Sequence, residues 1–232
     1  MEKVFKVVLI GGTASGKTSL RNFLLHGTYT WQHTPTNNPD FVSTSVALNN
    51  GKLAAVQIWD TADLLTTSSL VQDADGIILV IDGAQSESLQ ILKQLWTALA
   101  ADNKNAWRIT MVPVVLARTK VDMHQIIDCV QAKEYCRSFL GIDDMICIPT
   151  SARTGKGIAT LFQTIVEQCQ MQSQNVCAPE QDKTILSLRP SRHGDPIAYH
   201  RFDVEEDFAF KSKYHRSSSR FRYAVRRLLC LT

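Results

Sequence analysis

The run FKVVLIGGTASGKTSLRNFLL, residues 5–25, constrains the fold more than any other stretch. An apolar, β-branched segment leads without a break into GGTASGKTS, and a helical pattern follows at once. Gly11, Gly16, Lys17 and Thr18 therefore fill the pattern GxxxxGK[ST] between an expected strand and an expected helix. Glycines let the backbone turn its N–H groups onto phosphate oxygens. A lysine at this place brings a cation to β- and γ-phosphates, and the hydroxyl beside it suits magnesium. Thr13, Ala14, Ser15 and Ser19 complete the candidate phosphate loop and the first turn after it. Strand, loop and helix in that order make the opening unit of an α/β sheet.

The rest of the chain keeps up the alternation. Short apolar runs, GIILVID, MVPVVLA and MICIPTS, are separated by the helical patterns SLQILKQLWTALA and VQAKEYCRSFL, and GIATLFQTIVEQC closes the series. Unbroken apolar runs belong to strands buried on both faces, and strand–helix alternation implies right-handed crossovers onto a mainly parallel sheet. VSTSVAL and LAAVQIW flank Asn49-Asn50-Gly51, a hairpin signal, so these two strands are expected to be antiparallel neighbours. The expected architecture is a doubly wound α/β domain over about residues 1–172, with six strands and about five helices. A chain of 232 residues has room for one such domain and an appendage, since a domain of roughly 150 residues already buries about 70% of its chain surface.

Composition excludes several other classes. The six cysteines (Cys129, Cys136, Cys147, Cys169, Cys177, Cys230) form no CxxC pair and have no histidine at ligand spacing, so neither zinc nor a disulfide framework is expected. The N-terminal apolar run is too short for a signal segment, and no run approaches the roughly 18 apolar residues of a membrane span. A soluble protein of a reducing cytoplasm is expected. Net charge is +3, and its excess lies late: from Pro179 onward there are 11 Lys/Arg and 7 Asp/Glu, which leaves 14 basic and 15 acidic residues before it.

A phosphate loop does not name the base, and nucleoside kinases carry a similar one. TKVD (Thr119, Lys120, Val121, Asp122) follows the strand VPVVLA, and TSAR (Thr150 to Arg153) follows MICIP. Both fall at strand C-terminal ends, where open α/β sheets bind ligands. A carboxylate at Asp122 accepts two hydrogen bonds from the N1–H and N2–H₂ edge of guanine, an edge that adenine lacks, and Lys120 offers methylenes to the face of the ring. A buried carboxylate left unpaired discriminates between ligands by about 10⁴. A kinase would need a catalytic carboxylate beyond the first helix and an arginine-rich lid. Between Thr18 and Gly51 the only acid is Asp40, and no such lid precedes the tail.

Taken in order, GGTASGKTS, TPTNNPDF, WDTAD, TKVD and TSAR resemble the motif series of the Ras superfamily of small GTPases, most closely its Ras/Rab branch, over roughly residues 3–170. The resemblance implies GTP and GDP as ligands with Mg²⁺. Thr18 would hold the metal directly, Asp60 through water, and Thr36 of HTPT only when a γ-phosphate is present. Tyr29 matches an aromatic that packs on guanine, and the backbone N–H of Ala152, beside Ser151, would meet the guanine carbonyl oxygen. Thr119 stands where asparagine is more usual, and Arg153 where lysine is commoner. Effector and exchange-factor proteins are implied at residues 30–45 and 60–72, with a monomeric chain and no nucleic-acid partner.

The chain departs from that pattern where the chemistry would occur. In the family the residue after DTA is a glycine whose N–H closes on the γ-phosphate, and the next is a glutamine that orients the attacking water. Here they are Asp63 and Leu64. Asp63 adds negative charge beside three phosphates, and Leu64 has no group that hydrogen-bonds a water. Thr13 adds bulk near the γ-phosphate where relatives have glycine or serine, and Asn37 and Asn38 replace an aliphatic residue and a glycine. From Asp60 to Gly76 there are 16 residues, so the second switch helix is expected to be shortened. No confident catalytic residue follows. The expectation is a guanine-nucleotide switch with slow or impaired hydrolysis, acting in membrane trafficking or signalling. The alternative is a pseudo-GTPase serving as a static protein-interaction scaffold.

Residues 173–207 carry Pro179, Pro190 and Pro196 in a polar stretch and read as a linker with little structure of its own. The last 25 residues, 208–232, hold seven Lys/Arg and no acid. At helical spacing Phe221, Ala224, Val225, Leu228 and Leu229 share an arc, with Arg220, Arg222, Arg226 and Arg227 opposite. A basic amphipathic helix suits an anionic membrane surface on the cytosolic side. Packing against the domain, or a solvated or nucleic-acid-attracted charge run, are the competing readings. Cys230, third from the end, completes no prenylation ending but leaves S-acylation open. Trp31, Trp96 and Trp107 read as packing or surface aromatics.

Overall fold

The computed structural model describes residues 3–31, 39–61, 64–101 and 111–176. The chain divides into two units, Met1–Asn175 and Val176–Thr232, and the fold described is that of the first. Thr36, Asn37, Asn38, Asp63, Trp107, most of the expected linker and the whole basic tail lie outside the described residues.

The six strands are β1 (Phe5–Gly11), β2 (Asp40–Ala47), β3 (Leu53–Asp60), β4 (Gly76–Asp82), β5 (Val114–Thr119) and β6 (Ile146–Pro149). They form one sheet in the order β2-β3-β1-β4-β5-β6, with every pairing parallel except β2 with β3. Five helices accompany them among the described residues: α1 (Lys17–His26), α2 (Leu64–Val71), α3 (Ser88–Ala101), α4 (Cys129–Leu140) and α5 (Ile158–Val176). The expected doubly wound α/β fold is therefore observed. The hairpin closes at Asn49-Asn50-Gly51, where Gly51 takes a left-handed φ of 75° and its N–H donates to the Leu48 carbonyl oxygen.

Strand side chains alternate between faces, and this explains why the strands look continuously apolar. Val7 and Leu9 join the cluster under α1 and α5 with Leu20, Phe162 and Ile165. Val8 and Ile10 join the opposite cluster under α3 and α4, with Leu92, Trp96, Leu99 and Ala132. Trp96 is thus core, as read from the sequence. α4 begins with a capping box, in which the Asp128 carboxylate accepts from the Gln131 N–H and the Gln131 side chain accepts from the Asp128 N–H.

Two boundaries differ from expectation. β5 starts at Val114 and not at Met111, because Pro113 has no N–H for a ladder; its carbonyl oxygen only accepts from Ile77. α5 runs on to Val176, although its apolar periodicity fades after Cys169. No glycine or proline interrupts residues 158–176, and the Gln172 amide donates to the Met111 carbonyl oxygen. The first four residues of the stretch read as a linker are therefore helical. α2, eight residues long, fits the shortened second switch. No helix among the described residues is long and apolar enough to cross a membrane.

Five parallel strands end on the same edge of the sheet, and this edge is where the motifs lie. β1 runs into the phosphate loop, β3 ends at Asp60, β4 at Asp82, β5 at Thr119, and β6 just before Thr150.

Candidate functional site

The phosphate loop folds around close backbone contacts. A Cβ on Gly11 would lie 2.3 Å from the Val80 carbonyl oxygen of β4, so only glycine lets β1 turn away there. Ala14 (φ 59°) and Gly16 (φ 102°) both take left-handed backbone, which Gly16 adopts without the strain that Ala14 carries. α1 starts immediately after, at Lys17. The Lys17 ammonium is nearly buried and donates to the carbonyl oxygens of Gly11 and Gly12, at 2.9 Å each. Burial lowers its pKa and the nearby Asp60 carboxylate opposes that. A helix N-terminus, turned amides and a poorly hydrated cation together define an anion site. The Ser15 hydroxyl is buried with no hydrogen-bond partner, a second polar group facing inward there.

Beside the loop sits a carboxylate suited to a hard cation. Asp60 is fully buried at the end of β3. Its Oδ2 accepts from the Thr18 hydroxyl at 2.5 Å, while its Oδ1 has no hydrogen-bond partner. An unsatisfied buried carboxylate oxygen is costly, and two adjoining oxygen donors are what Mg²⁺ selects. The residues present fit that metal, with Thr18 and Asp60 as the groups that would hold it. Burial raises the Asp60 pKa, against the Thr18 hydrogen bond and the charges of Arg21 and Lys17.

Arg21 is a feature that sequence reasoning missed. One helical turn beyond Lys17, its side chain is 10% exposed; Nη1 lies 2.8 Å from Asp40 Oδ2 and 3.9 Å from Asp60 Oδ2. It ties the first residue of β2 to the carboxylate that ends β3. On a helical wheel it looks like any surface arginine.

At the other end of the loop the base motifs build a cleft of about 150 Å³, about tenfold what one water needs. Gly16, Ser19, Tyr29, Lys120, Asp122 and Ala152 line it, and Arg153 stands at its rim. The TKVD and TSAR loops are joined by a hydrogen bond from the Val121 N–H to the Thr150 carbonyl oxygen. Ser151, fully buried, donates its hydroxyl to Asp122 Oδ1 at 2.5 Å and accepts from the Thr154 N–H. Asp122 is therefore oriented from behind, with its side chain 15% exposed. Lys120 has a left-handed φ of 58°, and its ammonium pairs with Asp82 at 2.6 Å. This leaves the methylene stem along the cleft, and it makes Asp82 a second group that went unnoticed. Its signal was a carboxylate closing the apolar run GIILVID.

The two ends of the site touch. The Thr119 hydroxyl lies 2.6 Å from the Ser15 carbonyl oxygen and 3.0 Å from that of Ile81. The expected ligand-binding residues among those described thus converge on one edge. Thr13 and Ala14 form the exposed turn of the loop, and Leu64 opens α2. Trp31 is an exposed aromatic, one of the two readings given it from the sequence, and it also lines the cleft beside Tyr29, with ring centroids 5.6 Å apart. Burial pushes the thiols of Cys136 and Cys169 up to about 12, which leaves them unreactive.

A phosphate loop, a cation-ready carboxylate and a base cleft on the C-terminal edge of a six-stranded sheet define a nucleotide-binding domain of small-GTPase fold. Residues 6–171 match the model of the Ras family, and the chain belongs to that family. It is similar to the Ypt/Rab-type GTPase YPT7 of Saccharomyces cerevisiae, 27% identical over 177 residues, which cover 75% of this chain and 85% of the relative. It is also similar to the Ras-related protein Rab-5B of Plasmodium falciparum, 27% identical over 70% of this chain and 76% of the relative. The Ras-related protein Rab-25 of Canis lupus familiaris is 28% identical over 71% and 76%. The relationship is Rab-like.

Arg21→Met, which keeps length and removes charge, is expected to cost about 2 kcal/mol of stability. The loss should be larger in EDTA than in millimolar Mg²⁺, because only the metal-free protein then leaves Asp60 with Lys17 as its sole nearby positive charge among the described residues. Thermal melts in the two buffers measure this, and an equal loss in both would show that Arg21 does not serve Asp60.

Proposed function

We propose that this chain is a guanine-nucleotide switch of Rab type, acting in membrane trafficking, that binds GDP and GTP with Mg²⁺ and hydrolyses GTP slowly. The observation that carries the reading is Asp122, whose Oδ1 is held by Ser151 and which lines a cleft shared with Gly16 of the phosphate loop. A fixed carboxylate there pairs with the donor edge of guanine, and an adenine would leave it unpaired. The Ala152 backbone N–H, next in sequence to Ser151, suits the guanine carbonyl oxygen. Thr36 would join Thr18 and Asp60 at the metal when the γ-phosphate is present. The Rab-type relatives support the trafficking assignment. Nucleotide released from the purified protein by denaturation and separated by chromatography is expected to be GDP or GTP; adenine nucleotide would overturn the reading.

Slow hydrolysis rests on two residues. Asp63 places a like charge near the phosphates, and Leu64 cannot hold the attacking water. Restoring both polar functions in Asp63→Gly/Leu64→Gln is expected to raise the single-turnover rate by about 10²-fold. Unchanged turnover would assign the slowness elsewhere.

Partners are proposed at residues 30–45 and 60–72. Supporting this is Phe41, 46% exposed on β2 and stacked on Trp59 with centroids 4.5 Å apart, an apolar surface with a rigid backing. The domain is proposed to end with α5, near Val176, with the rest of the stretch up to residue 207 as connector and 208–232 as a basic helix for anionic membranes, Cys230 being available for S-acylation. The seven Lys/Arg of that tail contribute about 1 kcal/mol each near such a surface. Flotation with phosphatidylserine vesicles should lose the protein when residues 208–232 are deleted; equal flotation with and without them would remove the membrane role.

A further inference from the structure

Trp31 is in an unfavourable place for a packing residue. Its indole is 73% exposed, on the segment directly after α1, although burying such a ring is worth far more than leaving it in water. Two neighbours hold it. Tyr29 meets it edge-to-face at 5.6 Å with an interplanar angle of 72°, and the Arg153 guanidinium carbon lies 4.8 Å from its ring centroid. Arg153 comes from the opposite lip of the cleft, in the loop after β6. Its Nη1 is also 3.8 Å from Asp122 Oδ2, the carboxylate on which base recognition depends.

The guanidinium is thus held on both sides, by an aromatic face and by an anion. A planar, weakly hydrated cation is suited to this; an ammonium would keep its water and lose the stacking geometry. Either contact alone is weak at an exposed position. Together they draw one rim of the cleft across to the other. Tyr29, Trp31, Asp122 and Arg153 all line the same cleft, so the bridge spans its mouth and does not lie on a distant surface.

We propose that Trp31 and Arg153 form a clasp across the mouth of the base cleft that sets how fast a bound guanine nucleotide leaves. The proposal rests on the guanine reading and adds a retention device to it. The base is read by Asp122 inside the cleft, and departure requires the indole and the guanidinium to separate. An exchange partner contacting residues 30–45 reaches Trp31 directly, and by lifting the indole it opens the cleft without touching the phosphate loop.

The test uses the full chain loaded with fluorescently labelled GDP and chased with excess unlabelled GDP. Trp31→Ala and Arg153→Ala are each expected to speed release by about three- to fivefold. The double variant should release no faster than the faster single one, because both remove the same contact. Trp31→Phe, which keeps an aromatic face, should stay within about twofold of the original rate. Exposure of both side chains means that none of these changes opens the core. A chain that retains GDP but releases it at the same rate in Trp31→Ala overturns the clasp and leaves the guanine reading standing. Multiplicative acceleration in the double variant also overturns the clasp, since the residues would then act independently. If the unaltered chain retains no GDP under conditions where it is folded, the guanine reading fails and the clasp with it.

Discussion

The hydrogen bond between the Thr119 hydroxyl and the Ser15 carbonyl oxygen spans 104 residues of sequence in 2.6 Å. It joins the loop built for phosphates to the loop built for a base, and the remaining geometry has to be compatible with it. Gly16, which precedes the helix with a left-handed φ of 102°, packs directly against Thr119. Val7 to Ile10 of β1 and Val114 to Ala117 of β5 are buried and apolar, and β4 lies between the two strands in the sheet. Packed strands tolerate little displacement. On the proposed reading, the rigidity of the sheet would set the spacing between the charged and aromatic ends of one ligand.

Charged groups at the site are unevenly partnered. Lys17 is satisfied by carbonyl oxygens, which are weaker companions for a cation than an anion would be. Asp60 has one oxygen bonded and one bare. Asp122 accepts from Ser151 behind, and the Arg153 guanidinium stands 3.8 Å from its other oxygen. Groups partnered in this way along one edge are poor for stability, and on the proposed reading a ligand supplying phosphates, a metal and a donor edge would give them better partners. Stability lacking in the empty domain would then appear on binding.

Much of this was legible in the sequence, for a physical reason. The phosphate loop, TKVD and TSAR are local devices whose chemistry depends on near neighbours, and apolar strands buried on two faces announce a parallel sheet. What escaped notice depends on contacts between distant segments. Arg21 reads as a surface residue until Asp40 and Asp60 are brought beside it, and Trp31 reads as a stray aromatic until Arg153, 122 residues later, crosses to it. Asp82 belongs to the same class, since its pairing with Lys120 links two neighbouring strands. Helix α5 outran its periodicity because apolar spacing marks the buried face of a helix, whereas its length is set by the next residue that breaks the backbone ladder.

Two residues in these loops, Ala14 and Lys120, have positive φ without being glycine, at 59° and 58°. Such backbone is about 1 kcal/mol or more above the relaxed conformation. The chain has accepted a small thermal handicap in both halves of its pocket. A laboratory lineage selected only for heat resistance would find glycine at Ala14 early, whereas glycine in place of Lys120 would relieve the backbone and forfeit the ion pair with Asp82. Endurance is thus opposed by a side chain's work at one of these two peptide units.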